Sequence, residues 1–261
     1  MPPRLSCFSC CALLLGVPLA AAAQQADMPP AFDRPGIGLG TGIVPRGALA
    51  LELGLPSVTR DRDPDGLRTR LTQADATLRT GLAAHWELQV SSSPWQHLRS
   101  RGPGQPTTTA RGSGDSIVGL KWAPAREDAE DRWALLATTT LARGNADFSE
   151  GRLSTLAATY EHDLGEHWTG ALYASASGGG GQRSVTWSPS LSWAASDRVS
   201  AFVEAGFTRN RGEPDENIAG AGVTWMATPR IQLDASFDLG LDRDSPDLQA
   251  GLGMAIYFGP G

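Results

Sequence analysis

Beyond Gly47, apolar and polar side chains alternate one for one through most of the chain. Successive side chains of a strand face opposite sides, so this period of two predicts β-strands with one greasy and one polar face. Ile231, Leu233, Ala235, Phe237, Leu239 and Leu241 alternate with Gln232, Asp234, Ser236, Asp238 and Gly240. Val185, Trp187, Leu191 and Trp193 stand opposite Ser184, Thr186, Ser188, Ser190 and Ser192. The pattern predicts twelve strands, at 47–57, 68–81, 85–95, 113–123, 132–143, 151–162, 167–177, 183–195, 198–209, 216–226, 229–241 and 247–258. Most are near the ~9–11 residues that a tilted strand needs to cross a bilayer, and helical periodicity is not convincing anywhere.

The connections alternate in kind. Leu82–Ala84, Asp163–Glu166, Ser196–Asp197 and Ala227–Thr228 are short, with the acidic Ala125–Asp131 the longest of that set. Val58–Leu67, Gln96–Gly112, Gly144–Glu150, Gly178–Gln182, Asn210–Asp215 and Asp242–Pro246 are generally longer and polar. Short turns on one rim and long loops on the other predict an all-β, 12-stranded antiparallel transmembrane β-barrel of the bacterial outer-membrane type. The short turns are then periplasmic. Trp86, Trp133 and Trp168 begin strands just after short turns, Trp122, Trp193 and Trp225 end strands just before them, and Tyr160 and Phe258 hold equivalent places. By parity all eight lie on apolar faces, which predicts an aromatic girdle at one membrane interface. A soluble sandwich has no reason to gather outward tryptophan at one rim.

Composition and the N-terminus narrow the picture. Residues 1–23 read as a cleaved signal peptide: Arg4 is the only charge, an apolar run follows from Cys11 to Ala22, and Ala21-Ala22-Ala23 offers a small-residue cleavage site. Residues 24–46 are expected to form a periplasmic or lumenal segment ahead of a barrel over 47–258. All three cysteines fall in the leader, so the mature chain would carry no disulfide and no thiolate site. The formal charge of −6 becomes more negative by one when Arg4 leaves, and an acidic surface argues against nucleic acid as a partner. At 41% hydrophobic residues the chain is too polar for a bundle of membrane helices.

Glu52, Asp75, Arg79, Glu87, Gln89, Lys121, Glu204, Asp234 and Asp238 fall on the inward faces as candidate lumen-lining residues. They form either a polar lumen that selects small solutes or a set of cross-strand ion pairs that fill a narrow barrel. Arg79 and Lys121, the chain's sole lysine, suit both readings. Ile117, Leu136 and Phe202 also face inward, which is tolerable if the N-terminal segment packs against them. Pro189 predicts a bulge or a locally missing ladder bond.

Other motifs carry little chemistry. Asp61-x-Asp63-x-Asp65-Gly66 imitates a calcium loop, but Thr72 stands where the bidentate glutamate belongs. Glu161, His162, Asp163, Glu166 and His167 offer metal-ligand types around a turn that fixes no geometry. His97, near Ser91, Ser92 and Ser93, is the sole candidate base for a hydrolase. Gly36-x-Gly38-x-Gly40 lacks the strand and helix that phosphate binding requires. No catalytic residue, metal or cofactor is expected.

A family resemblance rests on Asp33-Arg34-Pro35-Gly36-Ile37-Gly38, Val44-Pro45-Arg46-Gly47, Leu51-Glu52-Leu53-Gly54, Gly81-Leu82, Trp86-Glu87-Leu88 and Gly119-Leu120-Lys121-Trp122. Phe202-Val203-Glu204, Leu233-Asp234 and Ser245-Pro246-Asp247 continue the series. In this order the motifs resemble a family of bacterial outer-membrane proteins labelled "putative MetA-pathway of phenol degradation". The resemblance implies a 12-stranded barrel in uptake or efflux of small, often aromatic or apolar, compounds, with no catalytic motif. The closing Met254, Ile256 and Phe258 resemble the C-terminal signal read by the barrel assembly machinery, although Gly259-Pro260-Gly261 trail it. Expected partners are therefore that machinery, outer-membrane lipid and lipopolysaccharide, and a small-molecule solute. The leading expectation is a transporter or passive pore, gated by residues 24–46 or by outer loops. The alternatives are a closed structural barrel with partner-binding loops and, third, a lipid-modifying enzyme.

Overall fold

A computed structural model describes residues 31–124 and 129–259, so the expected leader at 1–23, residues 24–30 of the expected N-terminal segment and the turn residues 125–128 lie outside the described residues. Among the described residues thirteen strands follow one another without a helix: β1 (Leu49–Arg62), β2 (Arg68–Ala83), β3 (Trp86–Arg101), β4 (Thr108–Gly112), β5 (Ser116–Trp122), β6 (Asp131–Ala142) and β7 (Ser154–Asp163). Then come β8 (Trp168–Gly179), β9 (Gln182–Ser196), β10 (Val199–Asn210), β11 (Glu216–Thr228), β12 (Ile231–Gly240) and β13 (Leu248–Phe258). Each pairs antiparallel with its sequence neighbour, except that β4 and β5 both pair with β3, and β1 pairs with β13 from Leu49↔Phe258 to Arg60↔Leu248. The ring is closed.

The barrel is nonetheless 12-stranded, because β4 and β5 occupy one position. Both run along β3, β4 from Ser100↔Thr108 to Gln96↔Gly112 and β5 from Ser92↔Ser116 to Trp86↔Trp122, in one unbroken register. Only residues 113–115 interrupt them, and even there the Gly114 N–H donates to the Ser93 carbonyl at 2.8 Å.

Several strands outrun the apolar alternation. β1 reaches Arg62, and the span 96–112, read as one long loop, is mostly the outer hairpin of β3 and β4. The expected loop 178–182 shrinks to a turn at Gly180-Gly181, whose φ values of +61° and +93° suit glycine. These extensions are polar on both faces apart from Val58 and Leu98, so hydrophobicity does not announce them.

Proline is accommodated where the ladder gives way. β1 carries an extra residue between Gly54 and Ser57 relative to both neighbours, and this bulge holds Pro56. At Pro189 the β9–β10 ladder lapses between Ser190↔Glu204 and Trp187↔Phe207 and resumes in the same register. A missing bond, not a bulge, is the outcome there.

Apolar side chains point out. Leu141, Leu156, Leu172, Val203 and Leu252 are exposed, with Leu141 and Leu156 above 60%, as a lipid-facing surface requires. The buried apolar clusters lie instead between the wall and residues 31–48. One joins Phe32 and Val44 to Ala50, Ala255 and Tyr257; the other joins Leu39 to Ala123, Ala134 and Ala157, with Ile43, Leu136 and Tyr173 against it. The inward Leu136 thus has an apolar partner. An inside-out barrel has been given a small conventional core by its own N-terminal segment.

Candidate functional site

The site is the lumen, and residues 31–46 thread through it. Alternation places a carboxylate on the inner face of strand after strand. The segment, rich in glycine and short of side chains, turns its backbone N–H groups toward them. Glu52 accepts from the N–H of Asp33 and of Arg34, each at 3.0 Å. Glu204 accepts from Ile37 at 2.8 Å, Glu161 from the N–H and hydroxyl of Thr41 at 3.2 and 2.7 Å, and Glu87 from Val44 at 2.7 Å. The segment therefore crosses from β1 past β10 and β7 and returns to β3. It leaves beside β2, where Arg46 bridges Gly81 in parallel. A Cβ on Gly81 would lie 2.1 Å from the Val44 carbonyl oxygen, so only glycine permits this approach.

Arg79 is the hub. Its side chain is fully buried, donating through Nε and Nη2 to Glu87 at 2.7 and 3.0 Å and through Nη1 to Glu52 at 2.7 Å. It also donates to the carbonyls of Ala31 and Gly42, at 3.2 and 3.1 Å. A planar guanidinium can bind two carboxylates and a folded backbone at once, which a lysine cannot. Lys121, also fully buried, donates to Asp33 Oδ1 at 2.8 Å, and Gln89 donates to Asp33 Oδ2 at 2.9 Å. Across the lumen Arg34 pairs with Asp234 at 3.1 Å, and Gln232 donates to the Arg34 carbonyl at 3.3 Å. Buried charges must be paired, and here the pairs tie wall to segment.

Not every inward residue joins this network. Asp75 accepts from Ser93 at 2.6 Å, Gln73 at 3.2 Å and Ser57 at 3.3 Å, nearer the long-loop rim. Asp238 stands apart, with a buried Oδ1 that has no hydrogen-bond partner among the described residues. Inward patterning alone does not expose Asp33, Arg34 and Thr41, because the segment has no strand period. Glu161, which looked like part of a solvated turn, is inward on β7 and reachable only by strand parity.

Space remains beside the segment. A cavity of about 300 Å³ lies between residues 31–40 and β7–β12. Its wall carries Ser188, Ser190 and Ser192 with the aromatic rings of Tyr173 and Phe202. A second, of about 330 Å³, lies toward the long-loop rim among Gln73, Gln96, Thr138 and Thr140, with Phe148 folded in from the 143–153 loop.

The eight outward aromatics sit at the short-turn rim. Trp122 contacts Trp133 edge-on with centroids 5.0 Å apart, and Trp86 lies 6.1 Å from Trp122. Trp168 stacks on Trp193 at 6.1 Å, Trp133 opposes Tyr160, Trp225 opposes Val199 and Phe258 opposes Leu49. His97 opposes Thr72 and Arg111 on the outer face, whereas Ser91 and Ser93 bond inward to Thr77 and Asp75. The turn cluster also diverges: His162 bonds Asp131 at 2.8 Å, while Asp163 pairs with Arg132 at 2.7 Å.

Residues 32–258 match the family described as "Putative MetA-pathway of phenol degradation". The chain belongs to this family. Among solved structures, it resembles an outer membrane channel from Pseudomonas putida F1 at 17% identity and TM-score 0.67, covering 86% of this chain and 99% of that one. It resembles the translocator domain of the autotransporter NalP from Neisseria meningitidis at 11% identity and TM-score 0.54, covering 86% and 90%. The KdgM porin in complex with disordered oligogalacturonate follows at 6% identity and TM-score 0.51, covering 82% and 99%. Nothing among curated proteins matches. At these identities the likeness is one of fold, that of bacterial outer-membrane barrels, and it fixes the family member's architecture without naming a solute.

Proposed function

We propose that this family member is an outer-membrane transporter or passive pore for small molecules, closed at rest by residues 31–46. The observation that carries the reading is the segment's mode of attachment, by backbone hydrogen bonds to Glu52, Glu87, Glu161 and Glu204. Such bonds break without disturbing the strand ladder, and the ion pairs of Asp33 and Arg34 with the wall are what movement of the segment must give up. The solute path follows the cavity beside the segment, where serine hydroxyls and the rings of Tyr173 and Phe202 suit small compounds with an apolar or aromatic body and a polar edge. Nearby Glu161 and Glu204 disfavour anions. The lumen-lining carboxylates set selectivity, and the eight rim aromatics anchor the barrel at the periplasmic interface. No catalysis is assigned, since the inward Ser91 and Ser93 occupy the face of β3 opposite His97, and Ser92, on the outer face, accepts from the Ser116 hydroxyl at 3.1 Å.

One observation favours a closed structural barrel instead: Arg79 and Lys121 are both fully buried and paired with carboxylates. Liposome swelling and planar-bilayer conductance separate the readings. The native barrel should leak small aromatic solutes slowly, and removal of residues 31–41 should raise leakage at least ~10-fold. A folded barrel that stays tight without those residues would establish the closed reading.

A further inference from the structure

The outer extensions of β1–β4 carry a cationic surface unrelated to the lumen. Inward residues of β2 run Arg79, Thr77, Asp75, Gln73, so the even positions Arg70 and Arg68 face outward. Beyond the bulges of β1 and β3, the pairing puts Arg60, Arg70 and Arg99 side by side in one row across three strands. Arg62, Arg68 and Arg101 form a second row above it. Arg111 of β4, opposite His97, extends the surface sideways. All seven arginines are exposed, and among the described residues none lies within ion-pair distance of a carboxylate. Arg209, elsewhere on the same rim, is paired with Asp215 at 3.1 Å.

Like charges directly opposite one another destabilise a sheet, and two successive rows repeat that arrangement. In a chain of net charge −6 the repetition calls for an anionic occupant. Depth says which. Trp95 lies outward on β3, and from the girdle residue Trp86 to Trp95 the strand climbs roughly 23 Å at ~3.3 Å per residue and ~40° tilt, near the ~25 Å apolar band. The first arginine row lies four residues and roughly 10 Å beyond Trp95, on the lipid-facing side and at headgroup level. A cleft of about 390 Å³ between the two hairpin tips is lined by Arg62, Arg68 and Arg101 with Gly66 and Pro103.

We infer that this surface binds the phosphorylated headgroup of an outer-leaflet glycolipid, its guanidinium forks gripping phosphate oxygens in bidentate fashion. The inference rests on the barrel's placement in the bilayer and not on what passes through the lumen.

The test is native mass spectrometry of the full detergent-purified barrel titrated with diphosphoryl lipid A, dephosphorylated lipid A and inorganic phosphate. The native protein should retain diphosphoryl lipid A at least ~10-fold more tightly than the dephosphorylated form, and inorganic phosphate should not displace it. The combined variant R68S, R70S, R99S and R101S should lose that preference while keeping its heat-modifiable gel mobility and its conductance. Equal binding of the two lipid forms by the native protein overturns the proposal, and that comparison needs no variant. Displacement by inorganic phosphate, or by heparin at equal charge, also overturns it, since the surface would then be a general anion binder.

Discussion

Lys121 Nζ lies 2.8 Å from Asp33 Oδ1, so the chain's sole lysine, on the barrel wall, is tied to the segment that occupies the lumen. Asp33 also faces Arg79 at 3.5 Å and accepts from Gln89, while Arg79 keeps Glu52 and Glu87 besides. Among the described residues Lys121 makes no second ion pair, although Glu87 stands opposite it on β3. Asp33→Ala removes the existing ion pair from a buried ammonium, a loss typically of ~3–5 kcal/mol. Unfolding by guanidinium should shift accordingly, and conductance should rise because the segment loses an anchor at its entry. Unchanged conductance with lowered stability would show that Asp33 only braces the wall.

Gly81→Ala tests the exit of the segment. The added Cβ would collide with the Val44 carbonyl, and overpacking of this kind costs about 1–3 kcal/mol. Gly178→Ala is the control, since nothing lies within 4 Å of its Cβ position. A thermal melt of the detergent-solubilised barrel should fall for the first variant and hold for the second.

The outer loop carries its own pH response. Partial burial pushes the Asp115 carboxyl up, but the Gly144 and Glu150 N–H groups, at 2.8 and 3.1 Å, and the Ser149 hydroxyl hold it below its ordinary value of 3.8. A depressed carboxylate stabilises the loop above the unfolded value and ceases to do so as pH falls through the lowered one. Hydrogen exchange over residues 143–151 should therefore accelerate once acidified below about pH 3.8, and Asp115→Asn should show that faster exchange at neutral pH.

The Trp122–Trp133 contact predicts a coupling of about 0.5–1.5 kcal/mol in a double-mutant cycle, measured by folding into lipid vesicles. Brominated lipids should quench these tryptophans most strongly when the bromine sits near the headgroups. Quenching that peaks with bromine at the bilayer centre would remove them from the interface.

Strand number and the facing of each strand were legible because lipid contact forces strict alternation, as in Leu233 against Asp234. What escaped the alternation was mostly polar on both faces. Arg60-x-Arg62 and Arg99-x-Arg101 repeat every two residues, as Arg68-x-Arg70 does within the predicted strand at 68–81, and so mark one face, yet the polarity of the first two makes them look like loops. The lumen was legible on one side only. Glu52, Arg79, Glu87 and Lys121 declare themselves by parity, but their partners Asp33, Arg34 and Thr41 lie in a stretch with no period. Only three-dimensional pairing reveals that the wall's charges are satisfied by the chain's own beginning.

The anchors of that beginning are unevenly distributed along the polypeptide. Glu52, Arg79, Glu87, Gln89 and Lys121 all precede β6, whereas Glu161, Glu204 and Asp234 come later. The densest bonding therefore spans the shorter sequence separations, which cost the least to close. The first half of the barrel can cradle its filler before the second half closes around it. When β13 finally meets β1, the seam is sewn around an interior already furnished, and the molecule need never pass through a hollow state that would have to be stoppered afterwards.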